Sequence, residues 1–155
     1  MMSRLWVLFF LAVTIFLGSC SFIAYSELSD EQIAELGVQE RDLVVATIAG
    51  EERERAFLEL LSERDDLIER QIILLRKHAA SLRELNADYR SERDQYSATF
   101  ADFNRERVAI QRDFVRVIAR MKDLSTAQEW ESIADHQWKY LDARRTTLRR
   151  AFGGA

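Results

Sequence analysis

The side chains able to do chemistry are few and scattered. The 155-residue chain holds two histidines, His78 and His136, and one cysteine, Cys20. Neither histidine has another histidine or a cysteine within a helical turn. Two imidazoles and one thiol do not make a Cys/His metal set. Glu131 and Asp135 stand four apart, on one helix face, and could share a cation with His136; an acidic face of this kind is most often plain solvated surface. No Ser-His-Asp order, no glycine-rich phosphate loop and no isolated carboxylate pair can be read. The sequence predicts no enzyme, no catalytic residue, no metal ligand and no cofactor. A helical rod would also lack a concave pocket.

The elements that position these residues must be helices. The chain has no proline and only five glycines, and residues 51 to 152 contain neither. Charged residues make up 31% of it. Sheets need Gly and Pro at their turns, which argues against a sandwich or barrel; a collagenous chain, a low-complexity linker and a polytopic membrane protein are excluded. The net charge of −4 with no basic block argues against nucleic acid as a partner.

The N-terminus reads as an export signal. Arg4 is the only charge before Glu27, and Leu5 to Ser26 is apolar or small. Leu17-Gly18-Ser19-Cys20 closes the apolar run and resembles the lipobox of bacterial lipoproteins. That resemblance implies a signal peptide over residues 1–19 and a fatty-acylated Cys20 as first mature residue. It implies a tether over 20–28 and a location on the cell envelope. In a Gram-negative cell Ser21 would favour the outer membrane, facing the periplasm. Two other readings stay open: an uncleaved anchor over Leu5 to Tyr25, just long enough to span a bilayer, and plain cleavage to a soluble product. A lone cysteine allows no disulfide within the chain in any of them.

Residues 29–153 are expected to form a single all-α domain. Ser29 is an N-cap with Gln32 as its reciprocal partner, Leu28 as staple and Asp30 and Glu31 in the first turn. That helix should run to about Ala49, with Gly50 ending it. Every seventh residue from Leu61 to Leu124 is apolar or aromatic: ten positions in unbroken phase. The period is that of a coiled coil. It predicts one long central helix from about Glu51 to Asp123, with a shorter helix packed at each end. The alternative is a helical hairpin turning near residues 86–97, where Asn86, Asp88, Ser91 and Ser97 cluster. A last helix, capped by Ser125 or Thr126, should carry Trp130, Ile133, Gln137, Leu141, Leu148 and Phe152 on its inner stripe. Phe100, Phe103, Phe114, Trp130 and Trp138 are expected to share a core.

Leu28-Ser29-Asp30-Glu31-Gln32 and Leu124-Ser125-Thr126-Ala127-Gln128 repeat one pattern. Each resembles the motif of the LTxxQ periplasmic Spy/CpxP family, with Ser in place of Thr. The matching positions are Leu28, Ser29, Gln32, Leu124, Ser125 and Gln128. The resemblance implies an all-helical protein that dimerises into a cradle and binds unfolded envelope proteins without ATP. The same residues also spell an ordinary capping box. The sequence thus predicts a lipid-anchored helical protein that binds other envelope proteins, with a homo-oligomer compatible. The alternative is a coiled-coil spacer or adaptor.

Overall fold

The computed structural model describes residues 28–153, with side chains as far as Arg145. Cys20 and the signal segment lie outside the described residues. Four helices follow one another: α1 (Asp30–Thr47), α2 (Glu51–Ala87), α3 (Arg93–Leu124) and α4 (Ala127–Gly153). There is no strand among the described residues, and the all-α expectation holds.

The single central helix does not. It is broken at residues 88–92, which are not helical, and its halves pack against each other as α2 and α3. Local polar chemistry makes the break. The Asp88 carboxylate accepts from the Arg90 amide at 2.9 Å, and the Ser91 amide donates to the Asp88 carbonyl at 3.0 Å. Glu92 then caps α3, with its own amide donating to Gln95 Oε1 at 2.7 Å. These Asx-turn and capping contacts offer the backbone an alternative to continued helix. The reversal restores the alternative topology of the sequence reading. Tyr96 Oη donates to Asn86 Oδ1 at 3.1 Å across the top of the hairpin, and Glu63 meets Arg120 at 3.0 Å near its base.

At the other end of α2 the chain turns through Gly50, whose φ of 93° is open to glycine and strained for other residues. α1 ends at Thr47, just short of the expected Ala49. It folds back on the first half of α2 and lies antiparallel against α4. The expectation that α1 and α4 sit at opposite ends of a rod is therefore corrected. They lie side by side, and with the base of the α2–α3 hairpin they form a four-helix bundle. α1 has 18 residues and α2 has 37, so they measure about 27 and 55 Å. The excess leaves the top of the hairpin as a two-helix arm.

The core follows from this arrangement. Val44, Ile48, Phe57, Leu60, Leu61, Val117, Met121 and Ile133 are buried together at the lower end. Ile33, Ile68, Ile72, Tyr140 and Ala143 form a second cluster above them. The Tyr140 ring packs beside Gly37 of α1, where a Cβ would stand 3.4 Å from Tyr140 Cε2, an ordinary contact. Phe103, Phe114 and Trp130 pack against the lower core, partly buried. Phe100 and Trp138 do not join them. They are 47% and 70% exposed, because the arm has no third helix beside Phe100 and the inward side of α4 is taken by Ile133, Gln137 and Tyr140.

A buried ion pair joins the two clusters. Arg64 donates to both oxygens of Glu40, at 2.6 and 2.7 Å, and each side chain is 1% exposed. Its Nε and Nη2 also reach Asp65 Oδ1, at 3.1 and 2.7 Å. The guanidinium carbon lies 4.6 Å from the centre of the Tyr140 ring, within cation–π range. Burial opposes the charge on Arg64, and the hydrogen bonds and attraction of Glu40 and Asp65 outweigh it, so its pKa is raised. Burial pushes the Tyr140 phenol up as well.

Candidate functional site

The two LSxxQ segments are not equivalent in space. In the first, the Ser29 hydroxyl accepts from the Gln32 amide at 3.2 Å, and the Ser29 amide donates to Gln32 Oε1 at 2.7 Å. Leu28 packs beside the upper cluster. This is a complete capping box with its apolar staple. In the second, the box shifts by one residue. The Thr126 hydroxyl accepts from the Glu129 amide at 3.2 Å, and the Thr126 amide donates to Glu129 Oε2 at 2.7 Å. Ser125 turns its hydroxyl back to the carbonyls of Met121 and Lys122. Gln128 stands exposed in the first turn of α4, while Leu124 packs on the lower core.

Glu129 does more than cap. It also accepts from the Ala49 amide at 3.1 Å and from Arg53 Nη2 at 2.5 Å. Arg53 in turn donates to the carbonyls of Leu124 and Ala49. One carboxylate thus clamps both turns at the lower end of the bundle. The amides of Thr126 and Ala49, with Arg53, hold its pKa down to about 2.

The histidines serve packing. His136 Nε2 lies 3.1 Å from the Leu36 carbonyl, between α4 and α1. His78 stacks on Phe103 with ring centres 4.2 Å apart and meets Phe100 edge-on at 5.1 Å. Glu131 and Asp135 are exposed. Among the described residues no three His, Cys, Asp or Glu side chains gather as a metal set, and no helix is long and apolar enough to cross a membrane.

What the structure assembles is apolar surface. Phe100, Val108 and Val115 are 47%, 55% and 67% exposed. Their spacing of eight and seven places them within about 80° on one face of α3, along roughly 22 Å. The stripe begins on the two-helix arm and ends at a cleft between α2, α3 and α4. That cleft has a volume of about 500 Å³ and is lined by Leu67, Ile68, Ile110, Phe114, Val115 and Leu141, with Gln71, Gln111, Arg144 and Arg145 as its polar groups. A concavity of this size departs from the pocket-free rod expected of the sequence, because bundling α4 against the hairpin creates a seam a single rod lacks. The sequence did carry a signal for the stripe: Val108 and Val115 fall one heptad apart but off the core phase.

Compared with family models, curated proteins and solved structures, the chain matches none.

Proposed function

We propose that this chain is a non-enzymatic, lipid-anchored helical protein of the bacterial cell envelope that captures apolar segments of other envelope proteins. The observation that carries the reading is the apolar stripe of Phe100, Val108 and Val115 on α3. Each large apolar side chain left in water forgoes about 1.5–3 kcal/mol of burial. Three on one face, with fully exposed Tyr89 beyond them at the turn, make a surface suited to a partner. Leu17 to Cys20 supports the envelope address, and Leu28, Ser29 and Gln32 support kinship with the Spy/CpxP family. Leu124, Ser125 and Gln128 support it less, since Thr126 and Glu129 do the capping there.

The test has two arms in the intact protein. Cys20→Ala should abolish labelling by a fatty-acid analogue and release the protein from the membrane fraction. A photo-crosslinker at Val108 should capture envelope proteins, whereas one at Glu131, on the acidic face of α4, should not. Val108→Glu with Val115→Glu should lose protection of an aggregating client while the melting temperature is kept. Equal labelling of wild type and Cys20→Ala removes the anchor; client protection unchanged by the two glutamates removes the binding surface.

The arm itself favours a second reading, as spacer or adaptor. In that case crosslinks at Val108 should join two copies of this chain.

A further inference from the structure

Charge is spread unevenly over the bundle. The chain as a whole is acidic, with a net charge of −4. α1 carries five acidic residues and one basic, and α2 from Glu51 to Arg70 carries eight and four. α3 from Arg105 to Lys122 reverses the balance, with six basic residues and two acidic. Helical periodicity sorts these groups around the axis. Arg105, Arg112 and Arg116 fall within about 100° of Val108 and Val115, and their side chains are 74%, 69% and 61% exposed. The carboxylates they meet, Asp102 and Asp113, stand farther round, about 120–160° from the valines. Asp113 serves two guanidinium groups at once, Arg112 at 3.7 Å and Arg116 at 3.2 Å. From Phe100 to Lys122 the valine side of α3 therefore presents cations and apolar groups together.

α1 supplies the contrast. Val38 and Val45 are also seven apart, and they are 58% and 52% exposed against 55% and 67% for Val108 and Val115. Their neighbours around the helix, within about 80°, are the exposed acids Glu31, Glu35 and Asp42. Apolar area does not separate the two valine pairs, but the sign of the surrounding charge does. Complementary charge selects partners and steers their encounter. Exposed ion pairs within one helix hold weakly, so the arginines can turn from Asp102 and Asp113 to a partner's carboxylates at small cost. The α3 stripe runs lengthwise for roughly 22 Å, the length of a helix of about 15 residues, which suits a helix laid along it. We propose that the segments captured on α3 are acidic amphipathic helices, with apolar residues along Phe100, Val108 and Val115 and carboxylates on Arg105, Arg112 and Arg116. This rests on the capture reading above and adds the chemistry of the partner.

The experiment uses the full-length protein in nanodiscs of zwitterionic lipid. The probes are two labelled amphipathic peptides of about 18 residues, long enough to cover the stripe. They share one leucine row and carry either Glu or Lys on its flanks. By fluorescence anisotropy at low salt the Glu peptide should bind about tenfold more tightly, a factor of about two for each of three exposed charge contacts. The preference should fade toward equality at ~1 M salt. Arg105→Glu with Arg112→Glu should reverse the order while circular dichroism shows an unchanged fold. A photo-crosslinker at Val108 should capture the Glu peptide, and one at Val45 should not. Equal capture of both peptides at Val108 leaves protein capture on α3 standing and overturns the charge selection. Capture of neither peptide there overturns both readings. An order unmoved by the two arginine reversals, or equal capture of the Glu peptide at Val45, overturns the proposal as well. So does displacement of the Glu peptide when phosphatidylglycerol replaces the zwitterionic lipid, which would assign the basic strip to lipid headgroups.

Discussion

Arg64→Met should damage this fold more than Glu40→Gln, although the two residues share one ion pair. Both side chains are 1% exposed. Removing one partner of a buried pair costs about 3–5 kcal/mol, because the other charge stays buried. What stays behind differs. After Glu40→Gln, Arg64 keeps Asp65 at 2.7 and 3.1 Å and the face of Tyr140 at 4.6 Å. After Arg64→Met, the Glu40 carboxylate has no other hydrogen-bond partner among the described residues. The Arg64 change should therefore cost the full ~4–5 kcal/mol and the Glu40 change about 2–3 kcal/mol. For a domain of this size those figures lower the melting temperature by roughly 15–25 and 8–12 °C. Replacing the pair by Leu and Met should recover most of the loss, since a buried ion pair is about neutral against well-packed apolar groups. Thermal unfolding followed by far-UV circular dichroism compares wild type, the two single variants and the Leu/Met double, and Glu40→Leu alone closes the cycle. A Glu40→Gln protein as unstable as Arg64→Met, or a double variant whose losses simply add, would refute the reasoning.

Other outcomes are equally concrete. The depressed pKa of Glu129, about 2 against an ordinary 4.5, adds stability above the ordinary value that fades as pH falls toward 2. Glu129→Gln should thus melt below wild type at pH 7, with the gap closing between about pH 5 and 2; a gap independent of pH would contradict this. Spin labels at Glu63 and Arg120, whose side chains meet at 3.0 Å across 57 residues of sequence, should lie roughly 10–20 Å apart. An unbroken helix would separate them by roughly 85 Å, and pulsed electron resonance decides between the two. Gly50→Ala should destabilise by about 1–3 kcal/mol through its φ of 93°. Gly37→Ala should instead be tolerated, with a gain of up to about 1 kcal/mol in helix propensity, since its Cβ would make ordinary contact with Tyr140. Chemical denaturation of both variants checks the pair.

The helical class was legible because the chain lacks both breakers over a hundred residues, and the Ser29–Gln32 box was legible because capping is local. The reversal at Asp88 was not, for a physical reason. Leu61, Ile68, Leu75 and Leu82 on one arm, and Phe103, Ile110, Val117 and Leu124 on the other, keep one seven-residue phase across the turn. Periodicity reports which face is apolar, not whether the chain doubles back to cover it. The polar cluster at Asn86 to Ser97 carried the true signal, since Asp88 and Glu92 make their bonds within a few residues. The Glu40–Arg64 pair left a trace as well: each is a charge set into an apolar stripe, between Ile33 and Val44 on α1 and between Leu60 and Leu67 on α2. The cleft left none, because three helices separated in sequence build its walls.

The direction of the two-helix arm has a consequence for orientation. α1 begins near the level of Ile72 on α2, and α2 then continues to Ala87 on that same side. The turn at Tyr89 therefore points toward the side on which the described chain begins at Leu28. It stands some 20 Å beyond that level. Leu28 is the eighth residue after Cys20, a span of at most about 28 Å. A lipid on Cys20 would leave the arm little clearance, like an antenna folded down against its own mast. The tip would graze the headgroups while the Glu129–Arg53 clamp faced outward into the aqueous space. Any partner held along α3 would then be met at the bilayer surface rather than far out in solution.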